Sequence, residues 1–196
     1  MRTPMLLTVL AAAAVLTGCA NSGSAEPAPS PGSVGTALEA PPSSAAPEPV
    51  PADAQPERGD KSRGAMLTVT GIRIGHHPGF ERVVYDLGGT GTPGWVVEYT
   101  DRVVQDGSGT VLDLDAGSVL EVRILGSAYP FDTGVTPFDN SEPVRDPEAP
   151  GVTGVYRTIV FEGETQSFIG VRGDRPAFEV RTANNPTRLI VDIATS

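Results

Sequence analysis

Over the last two thirds of the chain, apolar residues fall in short runs rich in Val, Ile, Tyr and Phe, broken by Gly, Asp, Pro and Asn. Such runs read as β-strands, and eight are predicted: 67–74, 82–87, 95–99, 118–125, 155–162, 167–172, 177–182 and 188–193. Trp95, Val97 and Tyr99 alternate with Val96 and Glu98, and Leu120, Val122 and Ile124 alternate with Glu121, Arg123 and Leu125. Period two with one polar face is the mark of a half-buried strand. No period of 3.6 persists long enough to predict a core helix, and Asp106-Gly107-Ser108-Gly109 marks a turn. The expectation is a mostly β domain, an antiparallel β-sandwich or partly open barrel.

The first part of the chain follows a different pattern. Behind Arg2, residues 5–17 form an apolar run with the charged start and hydrophobic middle of a secretion signal. It is shorter than the ~20 apolar residues a membrane-spanning helix needs. Leu16-Thr17-Gly18-Cys19 then resembles the lipobox of bacterial lipoproteins. That resemblance implies cleavage before Cys19, acylation (palmitate) of its thiol, and a lipid-anchored position on the extracytoplasmic face of the cell membrane. From Ala20 to Gly64 the chain is Ala, Pro, Ser, Gly and Glu, with nine of the 19 prolines and no aromatic residue. Such a stretch buries too little apolar surface to offset the entropy of ordering it, so a disordered stalk is expected. As a flexible coil from Cys19 to Met66 it would span roughly 40 Å. The predicted organisation is a signal peptide at 1–18, an anchored linker at 19–65 and a β domain at 66–196.

Charge and cysteine use narrow the function. The net charge is −10, and residues 66–196 alone hold 18 acidic against 10 basic residues, every one of the latter Arg. A domain so acidic has no electrostatic footprint for nucleic acid. Cys19 is the single cysteine, which leaves no intrachain disulfide and no thiolate chemistry in the domain. No cofactor or metal is implied: His76 and His77 are the two histidines, and nothing in their spacing demands a third ligand such as Glu81 or Asp86. There is no Gly-x-Ser-x-Gly elbow, no His-Glu-x-x-His and no phosphate-cradling loop, and Gly88-Gly89-Thr90-Gly91 reads as a turn. Carboxylate pairs suited to glycan cleavage arise by chance among so many acidic residues, so they are not a signature.

Two segments echo one another. Arg82-Val83-Val84-Tyr85-Asp86-Leu87 and Arg188-Leu189-Ile190-Val191-Asp192-Ile193 each set Arg, three apolar residues, Asp and an aliphatic in one order. In a strand, Arg82, Val84 and Asp86 share a face opposite Val83, Tyr85 and Leu87. The repeat suggests paired strands, with the charges forming either a salt-bridged face or a groove for acidic peptides. The stretch 127–154 shows no period, yet holds Tyr129, Phe131 and Phe138, which favours an ordered excursion. Arg82, Trp95, Tyr129, Phe131 and Arg188 are the ligand-binding candidates, with core packing the alternative for Trp95.

The domain resembles the AMIN family, and more closely the AMIN-like domain of Gram-positive lipoproteins. The resemblance rests on Thr70-Gly71-Ile72-Arg73, Gly75-His76-His77-Pro78-Gly79-Phe80 leading into the first echo, Pro93-Gly94-Trp95, Arg175-Pro176-Ala177-Phe178 and Asn185-Pro186-Thr187 leading into the second. It implies a β-sandwich that targets peptidoglycan or another wall component without catalysis. A protein-binding accessory lipoprotein of an envelope complex and a hydrolase of wall glycan or peptide are the alternatives.

Overall fold

A computed structural model describes residues 47–139 and 141–195. The signal peptide, Cys19 and the linker up to residue 46 lie outside the described residues. The elements in chain order are β1 (Glu57–Gly59), β2 (Met66–His77), β3 (Phe80–Thr90), β4 (Gly94–Thr100), β5 (Ser118–Leu125), α1 (Pro130–Thr133), β6 (Val152–Phe161), β7 (Glu164–Val171), β8 (Phe178–Ala183) and β9 (Arg188–Ala194). They form two antiparallel sheets, β1-β4-β5-β7-β6 and β2-β3-β9-β8. All eight predicted strands are present, and the fold is the expected mostly β sandwich.

Alternation decides which side chains meet between the sheets. Leu67, Val69, Val83, Tyr85, Leu189 and Val191 come from one, and Val97, Leu120, Val122, Ile124, Ile169 and Val171 from the other, into a single core. Each such apolar side chain contributes roughly 1.5–3 kcal/mol when fully buried. A polar tie within this core joins the Tyr85 and Ser167 hydroxyls, 3.0 Å apart. Ser167 donates its proton to the Tyr156 carbonyl, so Tyr85 is the donor in the pair. Burial pushes the Tyr85 phenol far above its usual pKa, and it stays a neutral donor.

Both open sides of the sandwich are closed by loops. On one side the Glu57 carboxylate accepts the Val180 N–H of β8, Phe178 donates to the Asp53 carbonyl, and β1 then pairs with β4. On the other, the segment after β5 runs along β2, where Ala128 and Phe138 donate to Leu67 and Val69, before Val144 pairs with Val155 of β6. Unpaired edges invite other strands, and these crossings occupy them. The 127–154 excursion is therefore ordered over its described residues and serves as an edge cover.

Three expectations are corrected. The domain begins before residue 66, because residues 47–65 pack against it and include β1. This strand escapes a reading by hydrophobic period because its sequence, Glu-Arg-Gly, is polar and it is held by backbone pairing. The connection between the strands predicted at 67–74 and 82–87 is shorter than that gap: β2 runs through His77 and turns at Pro78–Gly79, with His77 opposite Phe80. Gly88-Gly89-Thr90 continues β3 rather than turning, paired to Met66, Leu67 and Thr68.

Candidate functional site

The outer face of the first sheet, β1-β4-β5-β7-β6, is largely covered by its own chain. The 101–117 segment lies on it, with the Asp106 N–H donating to Gln166 and the Gln166 amide donating to Val104 and Glu121. Arg123 is surrounded there by Asp106, Glu121 and Glu164. This face is acidic and occupied.

The outer face of the second sheet has the opposite character. The echoed segments pair antiparallel, so that Arg82 of β3 stands across from Asp192 of β9, and Asp86 across from Arg188. Each edge strand adds one arginine: Arg73 on β2 sits opposite Val84, and Arg181 on β8 opposite Ile190. Two Arg–Asp–Arg triads result, related by an approximate two-fold axis through the Val84–Ile190 pair. In the first, Asp86 accepts a forked pair from Arg73 at 2.9 and 3.0 Å and a further bond from Arg188 at 3.1 Å. In the second, Asp192 accepts its fork from the central-strand Arg82 at 2.6 and 2.9 Å and a single bond from the edge-strand Arg181 at 3.2 Å, so fork and single bond change places under the two-fold. Forked guanidinium–carboxylate pairs are the geometry in which arginine binds most specifically.

Val84 and Ile190 are 8% and 6% exposed, although they belong to this outer face and not to the main core. The arginines beside them in register supply aliphatic stems that cover such positions while keeping the charged ends in water. The two triads differ in burial: the Asp192 side chain is 5% exposed and that of Asp86 26%. The Arg73 guanidinium bonded to Asp86, with Arg188 beyond it, holds the Asp86 carboxyl below its usual range.

The face has distinct ends. At one, α1 lies against β2 and β3, and Thr68 bonds the Ala128 carbonyl and the Thr133 hydroxyl. Tyr129 and Phe131 stack there at 5.2 Å, with Phe131 80% exposed. At the other end, Glu48 reaches Arg82 at 3.1 Å, Arg181 at 3.8 Å and His77 at 3.5 Å. The His77 ring is stacked on Phe80. Between them Gly75, opposite Arg82, leaves a notch of about 110 Å³ walled by Arg73, His77 and Arg82 and floored by Val84.

The sequence candidates thus separate. Arg82, Arg188, Tyr129 and Phe131 belong to this one side of the molecule. Trp95 does not: it lies on β4 against the core and Gly59, where an added Cβ would stand 2.3 Å from its ring. Arg73 and Arg181 were not among the candidates; each is the one arginine of its strand, and only pairing reveals their place. The adjacent histidines diverge, His76 lining a separate cleft of about 480 Å³ at the end of the sandwich with Glu81 and Arg172. There the Glu81 carboxylate accepts the N–H groups of Gly151 and Val152 at 2.9 and 2.7 Å. Among the described residues no three His, Cys, Asp or Glu side chains converge as a metal site.

Fold and face together define a small antiparallel β-sandwich module whose paired Arg-x-x-x-Asp strands display arginines on one open sheet. The chain belongs to the AMIN-like family, whose AMIN-like domain matches residues 67–195. No curated protein and no solved structure matches the chain.

Proposed function

We propose that this is an envelope protein, tethered to the membrane through lipidated Cys19 on the extracytoplasmic face, whose AMIN-like domain binds peptidoglycan or another wall component without turning it over. The observation that carries this reading is the Asp86 half of the arginine face, where Arg73 and Arg188 share one aspartate on the open sheet of a chain whose net charge is −10. A carboxylate-bearing polymer is attracted there and repelled by most of the remaining surface. The buried Glu81 has both carboxylate oxygens engaged by backbone N–H groups, an arrangement suited to holding a loop rather than to moving protons.

Co-sedimentation of residues 46–196, a compact unit containing the whole core, with purified peptidoglycan tests the proposal. Saturable binding that weakens with salt and is lost in an Arg73→Ala, Arg188→Ala double variant is expected. Protein left wholly in the supernatant at low salt sinks it. The exposed Tyr129–Phe131 stack favours one second reading, an accessory subunit that docks on an envelope protein. That reading predicts wild-type sedimentation by a Tyr129→Ala, Phe131→Ala variant that no longer joins its partner complex.

A further inference from the structure

The two triads share residues and register but not charge. Around Asp192, Arg82 and Arg181 are met by Glu48 as well, and Glu179 stands opposite Asp192 on β8. Around Asp86, Arg73 and Arg188 have that single carboxylate between them among the described residues, and the position opposite it on β2 is Gly71. One half of the face therefore carries two cations against three anions, and the other two cations against one. Arg73 spends its Nε and one terminal nitrogen on Asp86, and Arg188 bonds it through Nε alone, so terminal N–H donors of both remain outside the fork.

We propose that Arg73 and Arg188 form a carboxylate seat, equivalent by the approximate two-fold to the one that Glu48 fills on Arg82 and Arg181. Glu48 acts as the chain's own stand-in for a ligand: a carboxylate brought from outside the sheet onto two guanidiniums that already share an aspartate. The seat around Asp86 has the same two guanidiniums, one unmatched positive charge and no resident carboxylate among the described residues. A single carboxylate balances it. A ligand with two carboxylates fills both seats only by displacing Glu48, which makes the segment ahead of β1 a competitor for half of the face. This inference deepens the wall-binding reading by naming the chemical group that the face takes.

The test uses residues 46–196 with ¹⁵N-labelled arginine, following each side-chain Nε–H resonance at constant ionic strength. Two monocarboxylate probes separate the sources: N-acetyl-D-alanine, a peptide terminal carboxylate, and N-acetyl-glutamate α-amide, a side-chain carboxylate. N-acetyl-alaninamide is the uncharged control. In the wild type, the resonances of Arg73 and Arg188 shift saturably with at least one acid and stay still with the amide, while Arg82 and Arg181 stay still throughout. In Glu48→Gln, Arg82 and Arg181 shift too, more weakly than the first pair because Glu179 still stands opposite Asp192. Which acid binds tighter identifies the source.

Linear, unsaturating shifts of all four arginines would overturn the proposal, as would Arg82 and Arg181 remaining still in Glu48→Gln. The wall-binding reading fails separately. Lost carboxylate shifts with undiminished peptidoglycan sedimentation remove the seat and leave the wall ligand, whereas saturable shifts without sedimentation do the reverse.

Discussion

The two triads offer a comparison of burial, because each sets two guanidiniums on one aspartate. Replacing Asp192 with Ala removes the carboxylate that forks Arg82 at 2.6 and 2.9 Å from a position only 5% exposed. Breaking a buried ion pair from one side costs about 3–5 kcal/mol, because the surviving charge is left without its partner. Glu48 remains 3.1 Å from Arg82 and offsets part of this loss, which places the expected cost near the lower end, about 3 kcal/mol. Replacing Asp86 with Ala frees Arg73 and Arg188 in a setting where water reaches all three groups. Exposed pairs contribute at most about 1 kcal/mol each, and about 1 kcal/mol is expected here.

Urea unfolding of residues 46–196 reads both variants on one scale. With a slope of about 2 kcal/mol per molar, the midpoint falls by about 1.5 M in Asp192→Ala and about 0.5 M in Asp86→Ala. Against a total stability of about 5–15 kcal/mol, the first loss is large and the second is minor. Equal midpoint shifts would refute the reasoning, since burial would then not govern the strength of these pairs. So would an Asp86→Ala loss larger than that of Asp192→Ala.

Other positions give independent checks. Gly59→Ala drives a methyl group to within 2.3 Å of the Trp95 ring, so the indole must move, at a cost of about 1–3 kcal/mol and a shift in the fluorescence of the chain's single tryptophan. Unchanged emission would mean that Trp95 is not packed there. Glu81→Gln turns an amide N–H toward one of the two backbone donors at Gly151 and Val152, costing about 1–3 kcal/mol and raising amide exchange in the loop before β6. The Asp86 carboxyl, held low by Arg73, contributes stability that is full above its unfolded pKa of about 3.9 and lost as pH falls through the lower folded value. The midpoint difference between wild type and Asp86→Asn should thus stay constant from pH 7 to 5 and shrink only in the acid range. Glu57 shifts the other way, desolvation raising its carboxyl despite the Val180 N–H, so Glu57→Gln should raise the midpoint at pH 7 and lose that advantage in acid.

The strands were legible because burial on one face writes a period of two. Tyr85 and Val83 against Arg82 and Val84 already separated core from surface, and the echo of Arg82–Asp86 in Arg188–Asp192 announced the central pairing. What the echo could not reveal was direction: the reciprocal fit of each Arg to the other strand's Asp needs the antiparallel register that places Arg82 opposite Asp192. Arg73 and Arg181 were hidden for a related reason, since each enters the site diagonally from an edge strand. β1 left no hydrophobic trace because its hold on the fold is backbone pairing and the Glu57 carboxylate. Glu48 was read as part of a polar linker, and only its approach to Arg82 shows otherwise. Trp95 misled by type: a lone tryptophan is as useful to a core as to a ligand, and Gly59 shows which use this sequence makes of it.

The distribution of charge over the two outer faces explains why one of them suits an anionic ligand and the other does not. Arg123 on the first sheet is outnumbered by Asp106, Glu121 and Glu164, and the 101–117 segment leaves little of that surface open. On the second sheet Glu48 and Glu179 offset the arginines around Asp192, while Arg73 and Arg188 meet the single carboxylate of Asp86, so the attraction collects at one place. At physiological salt the screening length is about 8 Å, shorter than the extent of such a sheet. An approaching carboxylate therefore responds to the face beneath it more than to the chain's overall negative charge. A net charge of −10 and a binding site for anions are compatible for this reason, provided that the cations are gathered rather than scattered. The antiparallel pairing of two Arg-x-x-x-Asp strands gathers them.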